Sequence, residues 1–252
     1  MSPKWLTLLV FFWLCRAFAT EPQDSLSITL SNGEWPPYTS QQLPREGFLS
    51  EVVTRAFAQE NVKVRYKFSP WVRAIHDARI GYVAGSIGLL YTADRGKDFL
   101  FSEALITIKS VLFFRSNNTA PWFPIEKIKN RRLGLTRGYD YGDYWRKLTE
   151  PAVHNEIEMA VDDLTNLKKL AAGRIDGFIC DPSVCWSLIK QNWPKEQHQQ
   201  FRESPNPQTG LPIYLVINRQ DPNATELIRR FNLGLQKLKR SGVWRTLTER
   251  EQ

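Results

Sequence analysis

The chain has 252 residues, of which 42% are hydrophobic, 12% aromatic and 24% charged. That apolar content supports a sizeable core and excludes wholesale disorder, and the length allows one large domain or two modest ones. A net charge of +8 permits a nucleic-acid partner without demanding one, while three cysteines exclude a disulfide-dense miniature scaffold.

Residues Met1–Ala19 read as a secretory signal: Lys4 supplies a positive start, Trp5–Cys15 an apolar run, and Ala17-Phe18-Ala19 a small-x-small cleavage pattern. Arg16 ends the run too early for a membrane anchor, which needs about 20 apolar residues. Cleavage near Ala19 predicts an exported, soluble, periplasmic protein. It also removes Lys4, Arg16 and Cys15, leaving a charge of +6 and two cysteines, Cys180 and Cys185. In an oxidising compartment these two form a disulfide or stand as free thiols beside a turn; spacing alone does not choose.

After the signal, extended and helical patterns alternate. Leu26–Leu30 alternates like a strand and ends in the turn pair Asn32-Gly33. Pro36-Pro37 predicts an extended loop. Phe48–Phe57 has apolar residues at helical spacing, and Val62–Phe68 (VKVRYKF) alternates strictly. Ser69-Pro70 predicts an N-cap and a proline at the first helical position, opening a helix over Trp71–Ile80. Tyr82–Ile87 reads as a short strand and Leu105–Phe114 as a long one. The rhythm restarts with a strand at Arg132–Thr136 and helices at Gly142–Thr149 and Asp163–Ala172, the latter capped by Asp162 or Asp163. Ile175–Cys180 follows as a strand, Pro182–Gln191 as a helix, Pro212–Asn218 as a second long strand, and Asn223–Arg240 as a periodic helix ending at Gly242. The pattern predicts an α/β chain with mostly parallel sheets in two lobes. The two long strands cross between the lobes as a hinge, and a ligand crevice lies at the strand ends.

Catalytic signatures are sparse. The sequence has no GxxxxGK[ST], GxGxxG or HExxH motif. Ala84-Gly85-Ser86-Ile87-Gly88 approaches a hydrolase elbow but is followed by Leu89-Leu90-Tyr91-Thr92 rather than a helix, so a tight strand exit is the better reading. His76, His154 and His198 lack metal-ligand spacing, and no metal or cofactor is expected. Lys and Arg are dispersed, and the densest cluster, Lys127–Arg132, alternates with apolar residues as a solvated face does, against a nucleic-acid partner.

One constellation stands out. Thr92-Ala93-Asp94-Arg95, then Phe101-Ser102, resembles the periplasmic solute-binding proteins of polar amino acid ABC transporters (bacterial extracellular solute-binding protein family 3). Trp35-Pro36-Pro37-Tyr38 is similar to the family's early aromatic-proline loop, and Gly47-Phe48 to Ala56 and Pro70-Trp71 to its first two helix starts. Ala172-Gly173-Arg174-Ile175-Asp176 followed by Asp181 is similar to its second-lobe signature. The resemblance spans the mature chain and implies two Rossmann-like lobes joined by a two-strand hinge, the periplasmic-binding-protein type II fold. Lobe 1 would comprise 20–113 with 214–252, and lobe 2 114–213. It further implies a monomeric clamp that encloses a small polar, amino acid-like ligand and delivers it to a membrane ABC permease.

By the same resemblance, Arg95 grips an α-carboxylate and Asp181, in the other lobe, accepts an α-ammonium, so that a zwitterion favours closure. Arg95 pairing on the surface with Asp94 or Asp98, and Asp181 capping the helix at Pro182, are the plain structural alternatives. Trp35 and Trp71 match positions where aromatic rings stack on the ligand; Tyr38, Thr92 and Asn32 are further candidates. The sequence also departs from the family pattern. Gly88 and Leu90 stand where small hydroxyl residues are usual, leaving backbone groups at Gly88 to serve, and Gly138 is followed by Tyr139-Asp140-Tyr141-Gly142 instead of a Thr-rich turn. An aromatic, partly acidic cleft of this kind points to a bulky or basic ligand. Two alternatives share the scaffold: an exported cyclohexadienyl-dehydratase-like enzyme, for which Glu34, Asp140 and Asp181 are the candidate acid/base groups, and a module presenting ligand to a membrane receptor.

Overall fold

The structure is a computed structural model that describes residues 26–205, 207–242 and 244; the expected signal segment lies outside the described residues. The first half runs β1 (Leu26–Asn32), α1 (Phe48–Ala58), β2 (Val62–Phe68), α2 (Trp71–Arg79), β3 (Gly85–Leu90), α3 (Ala93–Asp98), β4 (Phe99–Phe101) and β5 (Ile106–Arg115). The second half runs β6 (Arg132–Thr136), α4 (Gly142–Arg146), β7 (Glu156–Ala160), α5 (Asp163–Ala171), β8 (Gly177–Cys180), α6 (Pro182–Asn192), β9 (Phe201–Glu203), β10 (Gln208–Asn218) and α7 (Ala224–Arg240).

The strictly alternating β2 lies where its pattern places it, paired in parallel with β1 from Leu26↔Val62 to Asn32↔Phe68. Elsewhere the boundaries move for local reasons. Pro70 is the residue before α2, extended at φ −51 and ψ 141, and Trp71 opens the helix. The strand expected at Tyr82–Ile87 is β3, three residues later. Tyr82 instead wraps the end of α2, its N–H donating to the Asp77 carbonyl at 2.9 Å, and its ring is exposed. The helix expected over Gly142–Thr149 is α-helical only to Arg146 and tightens to 3₁₀ geometry over Lys147–Thr149. The segments α3, β4, β7 and β9 are each six residues or fewer, too short to print a period.

Strand order is β2-β1-β3-β10-β5-β8-β6-β7, with β4 on β10 and β9 on β5. The expected mostly parallel sheet is therefore mixed. The outer pairs β1–β2, β1–β3, β6–β7 and β6–β8 are parallel, whereas β10 runs antiparallel to β3, β4 and β5, and β5 antiparallel to β8 and β9. The long strands β5 and β10 carry the chain between the two lobes and back, and α7 returns to pack on α1 of the first lobe.

The core is built from Leu30, Leu49, Phe57, Phe99, Leu215 and Phe231 in the first lobe, and from Phe113, Leu170, Phe178 and Ile189 toward the second. A smaller cluster around Trp122, Ile128, Leu133 and Trp145 fills the other face of the second lobe. Cys180 and Cys185 are joined by a disulfide and buried, tying the end of β8 to the first turn of α6. Ser86, the elbow candidate, is fully buried and donates to the Ser31 carbonyl at 3.2 Å, so it is a structural serine.

Candidate functional site

The site is organised around Arg95. Thr92 caps α3, its hydroxyl accepting the Arg95 N–H at 3.1 Å, which fixes the backbone from which the side chain leaves. The guanidinium then turns inward: one terminal nitrogen donates to the Leu90 carbonyl at 2.8 Å and the other to the Gly138 carbonyl of the second lobe at 2.9 Å. The surface pairing that was its alternative is taken by Arg79, which lies 3.6 Å from Asp94 and 2.6 Å from Asp98. Burial lowers the pKa of the Arg95 guanidinium, and Arg79 works in the same direction against Asp140 and Asp94. An arginine so placed still keeps its charge, which makes it a fixed cation in a low-dielectric gap.

Around the guanidinium lies an interlobe cavity of about 60 Å³, walled by Trp35, Trp71, Gly88 and Leu89 on one side and Gly138, Tyr139 and Asp140 on the other. Trp71 sits at the start of α2 with its indole pressed on Gly33, where any Cβ would overlap the ring, and its Nε1 donates to the Glu34 carbonyl at 3.3 Å. Gly138 has φ +86 and lies against the backbone of Trp71 and Val72, so a side chain there would be strained and crowded at once. Tyr139 meets the Trp71 ring edge-on, centroids 6.1 Å apart.

Behind Tyr139 stands a buried acid that sequence spacing did not single out. Asp162 is the cap of α5, accepting the Thr165 N–H at 2.7 Å. Asp163 instead points into the second lobe and accepts the Thr136 hydroxyl at 2.6 Å and the Tyr139 hydroxyl at 3.1 Å. Burial raises its carboxyl pKa to about 6, more than the two hydroxyl donors lower it, with the charges of Asp162 and Asp181 adding to the rise.

The cavity opens to a wider cleft of about 670 Å³ lined by His76, Arg79, Thr92, Asp94 and Arg146 as well as by Arg95 and Asp140. Thr92 therefore lies at the mouth, not beside the indoles. Asp140 accepts the Gly142 N–H at 2.8 Å and lies 3.9 Å from the Arg146 guanidinium.

Asp181 is placed elsewhere. It lines a separate cavity of about 710 Å³ together with Tyr38, Lys109, Ser183 and Glu203, and Ile108 borders both cavities. One carboxylate oxygen caps α6 through the Val184 N–H at 3.2 Å and accepts the Tyr38 hydroxyl at 3.3 Å; the other accepts the Lys109 N–H at 3.4 Å. Burial raises its pKa to about 6 against these donors. The two charges expected to face one gap thus border different cavities, because the oxygens of Asp181 are already engaged by α6, β5 and Tyr38. Asn32 is also outside the Arg95 cavity: it is fully buried, donating to the Ser50 hydroxyl at 3.1 Å and accepting the Gly33 N–H at 3.0 Å.

The sequence matches the family model of bacterial extracellular solute-binding proteins, family 3, over residues 28–250. The chain belongs to that family. Among curated proteins none matches it. Among solved structures, an ancestral arginine-binding protein bound to arginine is 18% identical, with 89% of this chain and 97% of that one covered and a TM-score of 0.77. A histidine kinase sensor domain with similarity to periplasmic binding proteins is 18% identical, covering 90% and 97%, with a TM-score of 0.75. An arginine third transport system periplasmic binding protein from Legionella pneumophila is 14% identical, covering 90% and 100%, with a TM-score of 0.76. At these identities the structures show a common two-lobed α/β fold, as the family does.

Within the family frame, the structure brings Arg95, Trp35, Trp71, Gly88 and Tyr139 to one cavity and leaves Asn32, Tyr38 and Asp181 out of it. Ile75, Ile108 and Ile213 complete the walls. The last two come from the long crossing strands: Ile108 is buried between the exposed Thr107 and Lys109, an alternation that marks an inward face, whereas Ile213 sits in a nearly continuous apolar run that does not show which residues face a gap.

Proposed function

We propose that this solute-binding protein captures an amino acid or similar small polar solute between its two lobes, 20–113 with 214–252 and 114–213, outside the cytoplasm, for ABC-type import. The observation that carries the reading is the Arg95 guanidinium: a half-buried cation reaching from a first-lobe helix to a second-lobe carbonyl, beside an interlobe cavity walled by indoles. A ligand carboxylate is a stronger acceptor than either carbonyl it bonds now, so it competes for the guanidinium, and it favours closure when the rest of the ligand contacts the second lobe. Export follows from the reading of residues 1–19 as a signal, and among the described residues no helix is long and apolar enough to cross a membrane. Partnership with a membrane permease and a monomeric state follow by analogy with the family.

A binding rather than catalytic role is supported by the disposition of the candidate acids. Glu34 has an oxygen occupied by the Gln41 N–H at 3.0 Å, Asp181 lies in the other cavity, and Asp140 alone reaches the Arg95 cavity, without a second acid/base partner there. The sensor-module alternative draws support from the likeness to a kinase sensor domain. A thermal-shift screen of the purified protein against amino acids, polyamines and small carboxylates tests the reading. A ligand at 100-fold excess over its Kd should stabilise by about 2.7 kcal/mol. A screen in which no small solute raises the melting point refutes it, and conversion of a hit into product shifts the conclusion to the enzyme.

A further inference from the structure

We propose that the Arg95 cavity takes a small carboxylate with an apolar or aromatic body, such as an apolar amino acid or its deaminated analogue, and discriminates against solutes with a cationic side chain. The inference rests on the preceding reading that this cavity is the ligand site, and it narrows the ligand class. Of the bulky or basic ligand expected from the sequence, it keeps the bulky alternative and sets aside the basic one.

The reasoning is a charge inventory. Apart from Arg95 and Asp140, the walls are hydrocarbon, backbone or aromatic ring, with the Tyr139 hydroxyl turned to Asp163. The acids around the cavity already hold donors, and of them Asp140 alone is on its wall. Asp140 accepts the Gly142 N–H and faces Arg146. Asp163 is occupied by the hydroxyls of Thr136 and Tyr139, and Asp181 by Val184, Lys109 and Tyr38. Glu34 is turned to Gln41, and Asn32 is spent on Ser50 and Gly33. Asp140, one oxygen of which accepts the Gly142 N–H, is the single carboxylate on the wall and can take one cation, the α-ammonium of an amino acid. A second cation on the side chain would then meet a guanidinium and hydrocarbon, and an unpaired buried charge is strongly unfavourable.

A carboxylate meets the opposite situation. The terminal nitrogens of Arg95 donate to two neutral carbonyls, of Leu90 and Gly138, and a charged acceptor in the same fork makes stronger bonds. Each methylene of an apolar body taken out of water tightens binding about fourfold. The aromatic residues favour a ring or alkyl body over a quaternary ammonium, because Trp71 and Tyr139 pack edge to face on one another rather than boxing a cation between open faces.

The test is isothermal titration calorimetry of the purified protein at neutral pH with 3-phenylpropionate, L-phenylalanine and L-leucine, set against L-arginine, L-lysine and trimethylglycine. The expected result is an apolar carboxylate binding at least tenfold more tightly than L-arginine. Ile75→Glu, which adds an acid to the wall, should move that preference at least tenfold back toward L-arginine in protein whose melting curve stays cooperative. If L-arginine, L-lysine or trimethylglycine binds as tightly as the apolar carboxylates, the ligand class is overturned while solute binding stands. If none of the six and no amino acid in the wider screen binds, both readings fall.

Discussion

Replacing Arg95 with alanine separates ligand recognition from fold stability, and the structure sets the size of both effects. The guanidinium makes two charge-assisted hydrogen bonds to carbonyls, at 2.8 and 2.9 Å. Bonds of that type contribute about 1.5–3 kcal/mol each. Against them stands the desolvation of a half-buried cation, the leading cause of its lowered pKa, and taking an ion out of water costs several kcal/mol. The two largely cancel, so the unfolding free energy of Arg95→Ala should stay within about 1 kcal/mol of the parent. Binding has no such cancellation, because truncation leaves the ligand carboxylate buried without its counter-charge. That costs about 2–5 kcal/mol, or about 30-fold to 5000-fold in Kd. Calorimetry with the tightest ligand measures the second quantity and urea denaturation the first. Asp94→Ala is the control: it sits on the same short helix, and its exposed carboxylate pairs with the exposed Arg79 and Lys97, at 3.6 and 3.5 Å. It should leave Kd unchanged within about threefold. A loss below fivefold for Arg95→Ala, or an equal loss for both variants, refutes the assignment of Arg95 as carboxylate receptor.

Three other outcomes are expected. Asp163 and Asp181 titrate near 6 in the folded protein, above the usual 3.8, so the folded state holds their protons more tightly than the unfolded chain does. Stability therefore declines as pH rises from about 4 to 6, and urea unfolding should show about 2–3 kcal/mol more stability at pH 5 than at pH 7. Asp163→Asn should remove part of that slope, whereas a midpoint that rises from pH 5 to pH 7 contradicts it. Cys185→Ser breaks the buried Cys180–Cys185 bridge and should cost about 2 kcal/mol in urea unfolding, with a mass change on reduction confirming the bridge in the parent; an unchanged midpoint would show that the bridge does not contribute. Gly234→Ala would drive a Cβ into the Ala56 carbonyl where α7 crosses α1, and should cost about 3 kcal/mol by the same measurement; a loss under 1 kcal/mol means the two helices can separate freely.

What the sequence disclosed was whatever a local pattern encodes. β2 is legible to the residue because VKVRYKF alternates between a packed and a wetted face. Arg95 was singled out by the resemblance of Thr92-Ala93-Asp94-Arg95 to the family's segment, and the structure adds that Thr92 caps the short helix from which its side chain leaves. What stayed hidden depends on partners distant in the chain. Asp162 and Asp163 were interchangeable as caps on paper. Only the fold shows Asp162 bonded to Thr165 while Asp163 turns to Thr136 and Tyr139, 27 and 24 residues away. Asp181 had two compatible readings, cap and ligand acid; the structure shows the cap and adds a bond from Tyr38, 143 residues distant. The wall at Ile213 was hidden for a different reason: it lies in an apolar run whose composition does not mark the side facing a cavity, whereas Ile108, between the exposed Thr107 and Lys109, sits in an alternation that does.

The same bonds constrain how the clamp works. Arg95 to the Gly138 carbonyl, and Tyr38 to Asp181, each join the lobes through a side chain of the first and an acceptor of the second. A ligand that draws the guanidinium away from Gly138 removes one of these links. It stabilises the closed arrangement only if it supplies a replacement contact of its own to the second lobe, since a ligand shifts an equilibrium only by its differential affinity for the two states. Tyr139 is the surface available for that contact, held at the cavity wall by Asp163 and set against Trp71. A body long enough to reach from Arg95 to Tyr139 closes the clamp, whereas a bare short carboxylate such as acetate occupies the arginine without closing it. Small-angle scattering with acetate and with 3-phenylpropionate distinguishes the two. Compaction by the longer acid alone is expected, and equal compaction by both would mean that Arg95 by itself governs closure.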